Sequence, residues 1–137
     1  RTVWVEDESM NIGRVKVPDA FFANLLSAPV HFVDMPVKLR VERLVEVYGY
    51  FPKQELADAT MRIERRLGPQ HAKDAIAALE RGDLHTVAAI ALSYYDKTYA
   101  RGLSQRDPAR TILLKADTKD LNEIAARLLH HEHARYD

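Results

Sequence analysis

Only three short stretches of this 137-residue chain carry the β-branched and aromatic runs of strands: Thr2–Val5, Val30–Asp34 and Thr111–Leu114. Between the first two, Pro18 and Asp19 open a helix whose stripe is Phe21, Phe22, Leu25 and Leu26, and Ala28-Pro29 stops it. Strand, helix, strand at that spacing is a βαβ unit with parallel pairing. Between the second and third strands the period is helical. Val41, Leu44, Val45 and Tyr48 recur at i, i+3, i+4, i+7 over Val37–Tyr48. A second helix is expected from Pro52 to Leu67, with Gly68-Pro69 at its end, and a third from Ala72 to Leu79, closed by Gly82. Asp83 caps a fourth that reaches Arg101, and Asp120 with Glu123 resembles a capping box for a last helix carrying Leu121, Ile124, Ala125 and Leu128 inward.

The expected architecture is therefore α/β: a parallel sheet portion from 1–35 and 107–137, interrupted by a lid-like helical insertion over 36–106. Three strands are too few to be covered comfortably on both faces. Together with an Arg1 that falls inside an apparent strand, this reads as a piece of something longer, with strands missing upstream.

Composition narrows the chemistry. Twenty Lys+Arg against twenty Asp+Glu leave no global basic field, so any nucleic-acid contact must be a local patch. With no cysteine, this chain holds no disulfide, thiolate zinc site, iron–sulfur ligation or cysteine nucleophile of its own. No apolar run approaches the ~18 residues of a membrane span, and a cytoplasmic, membrane-free chain is expected. None of the five glycines begins a G-x-x-x-x-G-K-[ST] loop, so the chain should not transfer phosphate unaided. His131-Glu132-His133 lacks the i, i+4 histidine pair of a helical zinc motif, and no metal ligand is assigned.

Three constellations remain. Glu6-Asp7-Glu8-Ser9 ends the first apolar run, and acids at a strand's carboxyl end stand where open α/β sheets bind ligands. Arg62, Arg65 and Arg66 share one arc of a helix, and Arg40 and Arg43 lie three apart after the second strand. Guanidinium forks grip phosphate oxygens. The alternative is a solvated face laced with Glu42, Glu46, Glu55 and Glu64. Tyr95 and Tyr99 lie one turn apart, placed either to stack on bases or to pack with a hydroxyl at the core's edge.

These pieces line up in one order. Val3-Trp4-Val5-Glu6-Asp7-Glu8-Ser9, then Ile12-Gly13 and Val17-Pro18, resembles the V-E-D-E-S-x-x-I-G-x-x-x-x-P segment of bacterial tRNA 2-selenouridine synthases. The likeness continues through Asp34-Met35-Pro36, Arg40-Val41, Arg43-Leu44, Tyr48-Gly49, Ile63-Glu64-Arg65-Arg66-Leu67-Gly68 and Tyr94-Tyr95-Asp96, covering residues 1–115. The resemblance implies an enzyme with a rhodanese-like domain followed by a P-loop NTPase-like domain. This chain would match the C-terminal half of the latter, an incomplete P-loop NTPase-like parallel sheet.

The implied reaction converts the wobble 2-thiouridine of tRNA to 2-selenouridine through an S-geranyl intermediate. It draws on selenophosphate and geranyl diphosphate, with magnesium as a further candidate. The implied partners are tRNA and the upstream rhodanese and P-loop segments. Asp7 and Glu8 would then be Walker-B-like acids, and Arg40, Arg43, Arg62, Arg65 and Arg66 phosphate or tRNA contacts. Where the family usually has arginine after the acidic run this chain has Met10, which leaves Arg14 as the guanidinium able to take that place. The alternative from another class is a non-catalytic, nucleotide-kinase-like helical module that binds or scaffolds.

Overall fold

The computed structural model describes residues 3–7 and 9–133. Asn11–Ile12 (β1) and Val15–Lys16 (β2) form a small antiparallel hairpin, paired Asn11 to Lys16 and Ile12 to Val15. Its turn is Gly13-Arg14, and Gly13 supplies the positive φ of 61° that a side chain would resist. Sequence reading had only an extended connector there. Pro18 ends the hairpin and caps helix α1, Asp19–Ser27, with Asp19 in the first turn paired to Lys16 at 2.8 Å.

Ala28-Pro29 then releases the chain into β3, Val30–Asp34. Pro36 caps α2, Val37–Tyr48, and Pro52 caps α3, Lys53–Arg62. The single helix expected to run from Pro52 to Leu67 is instead two. Ile63 takes φ −101°, ψ 3°, and a short α4, Glu64–Leu67, follows it. One turn before the break, Thr60 Oγ1 donates to the Leu56 carbonyl at 2.9 Å, a back-bond of the kind that bends helices. Gly68, at φ 95°, turns the chain into α5, Pro69–Glu80, which begins three residues earlier than its alanines suggest because Pro69 fits its first turn. Helix α6, Leu84–Leu103, is capped by Asp83, whose carboxylate accepts from the Thr86 amide at 3.1 Å and the Thr86 hydroxyl at 2.6 Å. A 3-10 turn, Pro108–Arg110, leads into β4, Thr111–Lys115, and α7 spans Leu121–His133. At its start Asp120 accepts from the Asn122 amide at 2.9 Å, while its own amide donates to Thr118 Oγ1 at 3.1 Å rather than to Glu123. The capping box is thus half formed.

Strands β3 and β4 pair in parallel, Val30 with Thr111 through Asp34 with Lys115, across the whole helical stretch between them. The α/β class and a parallel sheet agree with the sequence, but among the described residues the βαβ pairing expected between the first run and Val30–Asp34 is not formed, and Val30–Asp34 takes Thr111–Lys115 as its parallel partner. The third strand does not agree: among the described residues the parallel sheet has two strands, and Val3–Asp7 joins no ladder. Val3 is 76% exposed, although its run was expected to be buried. Val-Trp-Val favours an extended backbone, but a strand also needs a neighbour's hydrogen bonds, which propensity cannot supply.

Two cores result. Val33 and Met35 of the β3 side meet Leu114, Ala116, Ile124 and Leu128 between the strand pair and α7. The other core is helical: Val41, Leu67, Ala72, Ala75, Ala78, Leu79 and Ala88 are buried where α2 to α6 pack. Alanines on successive turns of α5 bring its backbone close to α6. Leu121, expected inward, is half exposed. Among the described residues no helix is long and apolar enough to cross a membrane.

Long-range pairs fasten these layers. Trp4 packs on His31 with ring centroids 4.8 Å apart. Arg106 reaches the Asp7 carboxylate with Nη2 and donates from Nη1 to the Leu25 carbonyl at 3.1 Å, with its own side chain 8% exposed. Lys119, ahead of α7, pairs with Glu46 and at 3.6 Å with Glu42, so it joins that end of the chain to α2.

Two expectations follow. Arg106→Ala leaves the Leu25 carbonyl without that donor and the acidic segment without its anchor, and should lower unfolding free energy by about 1–3 kcal/mol in denaturant titration. The hydroxyl and amide of Thr86 hold the Asp83 carboxyl below its ordinary value. Its contribution to stability is therefore present at neutral pH and lost as pH falls through that lowered value. Asp83→Ala should drop the melting temperature by roughly 2–6 °C at neutral pH. The gap to wild type should close on acidification below about pH 4.

Candidate functional site

Pro36 turns the chain sharply after β3, and Arg40 consequently lies one helical turn into α2, back over the strand's carboxyl end. Its Nε donates to the Met35 carbonyl at 3.1 Å. Nη1 and Nη2 donate to the two oxygens of Asp96 on α6 at 2.5 and 2.9 Å. This is the fork-to-carboxylate geometry available to arginine and not to lysine. The Asp96 hydrogen bonds raise the Arg40 guanidinium further above its ordinary value. Both side chains stay partly open, 30% and 40%, at a cleft of about 400 Å³ formed with Phe32, Met35, Tyr99 and Leu103. This is the end of the parallel strands at which open α/β sheets take ligands. Arg43 sits one turn further along α2, half-buried and without a hydrogen-bonded or ionic partner among the described residues.

Asp7 belongs to a different neighbourhood. Its partner Arg106 also holds the Leu25 carbonyl near the end of α1, so the acid stands on the side from which the chain enters β3. Acids beyond a strand's carboxyl end were expected. Glu6 and Asp7 form no ion pair with Arg40 or Arg43, and Asp7 is paired with Arg106. The cause is the one that undid the first strand: without ladder bonds the segment is positioned by Trp4 and Arg106 rather than by parallel pairing. Asp7 and Arg106 border a cleft of about 850 Å³ with Glu6, Phe22, Phe32 and Tyr99. Glu8 lies outside the described residues. Arg14, at the hairpin tip, is exposed. Sequence reading placed Arg106 only in a turn before Asp107-Pro108, and no periodicity or motif marks it out.

Arg62, Arg65 and Arg66 are all exposed where α3 gives way to α4. The break at Ile63 ends one helix at Arg62 and starts another just before Arg65, so the three do not share one arc of a single helix as expected; they form an exposed arginine ridge only in the sense that all three are open to solvent along the α3–α4 junction. Arg66 Nη1 lies 3.4 Å from the Tyr94 hydroxyl on α6, and Tyr94 packs against Tyr95 with centroids 5.0 Å apart. Tyr95 and Tyr99 are 42% and 55% exposed and line an apolar groove of about 530 Å³ with Leu44, Leu56 and Ala91. They therefore occupy the edge between core and solvent, the position both sequence readings allowed. Among the described residues no group of three or more His, Asp or Glu side chains is arranged to hold a metal ion, and Asp7 already has a guanidinium partner. No step is assigned to a metal.

Comparison with known proteins bears on what this arrangement serves. A family model described as the tRNA 2-selenouridine synthase AAA domain matches residues 1–60. The tRNA 2-selenouridine synthase of Shewanella loihica is 28% identical over 152 aligned positions, covering 90% of this chain and 40% of that protein. That of Bdellovibrio bacteriovorus is 28% identical over 149, covering 81% and 39%. The protein of the same name from Nitrosomonas europaea is 44% identical over 46 residues, 34% of this chain. The chain thus spans about two-fifths of the length of the curated relatives it matches along most of its own. No solved structure matches it. The ordered motifs, the matched AAA segment and the relatives agree: the chain is similar to the tRNA 2-selenouridine synthases.

Proposed function

We propose that this chain is the C-terminal part of the P-loop NTPase-like domain of a cytoplasmic transferase that converts the wobble 2-thiouridine of tRNA to 2-selenouridine. The reaction in this reading passes through an S-geranyl intermediate. The C2 sulfur bonds to the geranyl carbon while the carbon–oxygen bond breaks, its electron pair leaving on diphosphate and the N3 proton being released; the selenium of selenophosphate then attacks C2, the sulfur departs as geranylthiol, and water cleaves the selenium–phosphorus bond to release phosphate. Upstream rhodanese and P-loop segments supply what the chain does not contain. The chain itself contributes diphosphate and tRNA contacts.

The observation that carries this is the exposed ridge of Arg62, Arg65 and Arg66 on a chain whose relatives bear that name. Charge grows on the diphosphate oxygens as it departs, and positioned guanidiniums lower the barrier by neutralising it. On a tRNA backbone the same groups displace condensed counterions and so contribute a salt-dependent affinity. Arg43 and Arg14, free of partners among the described residues, are further contacts of this kind. Asp7 and Glu8 serve as the acids of the domain, with Arg106 fixing Asp7.

A second reading, a binding or scaffolding module of nucleotide-kinase-like shape without chemistry, draws support from Arg40 and Asp7. Both are engaged by groups of the chain itself.

The test is Arg65→Ala with Arg66→Ala in the intact protein. The synthase reading expects slower geranyl transfer, or tRNA binding weakened at least several-fold with the log–log salt slope reduced by about 2, near one per lost phosphate contact. Wild-type transfer together with wild-type binding and salt slope would overturn it and leave the scaffolding reading.

A further inference from the structure

The turn between α2 and α3 carries a feature that neither the arginine ridge nor the two clefts use. Phe51 sits between two tyrosines. The Tyr50 ring stacks on it with centroids 4.7 Å apart and planes 25° apart, and the Tyr48 ring lies 5.8 Å away at 34°. Phe51 is the half-buried member, while Tyr48 is 50% and Tyr50 76% exposed. Backbone bonds fix the turn: the Gly49 amide donates to the Val45 carbonyl at 2.8 Å and the Phe51 amide to the Tyr48 carbonyl at 3.0 Å. A Cβ at residue 49 would stand 2.4 Å from the Val45 oxygen, so the close return of the chain requires glycine. Pro52 then starts α3 with a fixed φ. The rings are held in place before any partner arrives.

An aromatic ring three-quarters exposed at the end of a stack offers a flat π-face with no side chain over it. Lys53 follows Tyr50 by three residues and donates from Nζ to the Glu80 carbonyl at 3.4 Å, which joins the start of α3 to the end of α5, where Arg81 is the C-cap. A stacked ring beside cations is the pairing with which proteins hold an unpaired nucleotide, base on ring and phosphate on cation. A helical protein partner would instead lay apolar anchors in the groove that Tyr48 and Gly49 border with Leu44 and Leu56, whereas the Tyr50 ring is not part of that lining. The platform stands at the start of α3 and the arginine ridge at its end. Ten residues of helix separate them by about 15 Å, within reach of a few nucleotides of one strand.

We infer that Tyr50, backed by Phe51 and Tyr48, is a stacking platform for an unpaired base of the RNA substrate, with Lys53 and Arg81 on the adjoining phosphates. The inference rests on the reading of the chain as part of a tRNA-acting enzyme. It assigns the base contact to the α2–α3 turn, beside the Tyr95–Tyr99 segment singled out in the sequence.

The experiment compares binding of an unmodified tRNA transcript to the intact protein and to its Tyr50→Ala, Tyr50→Phe and Tyr50→Trp variants, each measured across a salt series. Tyr50→Ala should bind roughly five- to hundredfold more weakly, the range for losing one base–aromatic stack. Its salt slope should match wild type, because no phosphate contact is removed, and its melting temperature should fall only by the small amount set by the lost Phe51 stack. Phe and Trp should restore affinity. Lys53→Ala with Arg81→Ala should do the reverse, lowering the salt slope. Wild-type affinity in Tyr50→Ala would overturn the platform and leave the arginine ridge untouched. The same result accompanied by altered self-association would reassign the turn to a protein contact. A wild-type protein that binds no tRNA would remove the functional reading beneath the platform.

Discussion

The fork between Arg40 and Asp96 is the interaction on which the arrangement of this molecule turns. One guanidinium holds the backbone at the carboxyl end of β3 through the Met35 carbonyl, its own helix α2, and α6 across the interface. The consecutive β3 and α2 meet α6, 56 residues further on, at one planar group. Neither buried core joins the strand pair to the helical layer: the strands pack on α7 through Leu114, Ala116 and Ile124, and the helices pack among themselves through Val41, Leu67, Leu79 and the alanines of α5 and α6. A directional ion pair, supported by Lys119 on Glu42 and Glu46, defines how the helical layer stands over the sheet. A partly exposed pair of this kind contributes modestly to stability, and its larger effect is to exclude other geometries.

The same pair divides the arginines by role. Arg40 is engaged by the chain's own carboxylate, and Arg106 likewise. Arg62, Arg65 and Arg66 stand in solvent, and among the described residues their one side-chain partner is the Tyr94 hydroxyl beside Arg66. Cations without carboxylate partners retain their capacity to meet phosphate, which is why the functional proposal rests on the ridge rather than on the strand end. The aromatic turn at the other end of α3 complements it, since π-faces and guanidiniums address different parts of a nucleotide.

Several elements were legible in the residues. Val30–Asp34 and Val37–Tyr48 fall where read, because Pro29, Pro36 and Gly49 are local stops that need no tertiary information. The Asp83 cap and the Gly82 turn are equally local. The α3–α4 break was not legible: Leu56, Ile63 and Leu67 keep a helical period across it, and the distortion at Ile63 is a matter of backbone bonding. Of the candidate residues, the arginine ridge was visible from spacing. Arg106 was not, because its partners are 81 and 99 residues away in sequence. The aromatic turn was present in the sequence as Tyr48-Gly49-Tyr50-Phe51, but read as punctuation. Only the ring geometry distinguishes a stack from three separate side chains.

Local chemistry by itself determined most of the helices, their stops and the family likeness, since each depends on neighbours within a few residues or on ordered motifs. Tertiary structure alone decided that Val3–Asp7 would form no strand, that Asp7 would meet Arg106, and that Arg40 would be taken by Asp96. The reason is physical. Propensity and period act along the chain, whereas a ladder bond or an ion pair needs a partner brought into place by the rest of the fold.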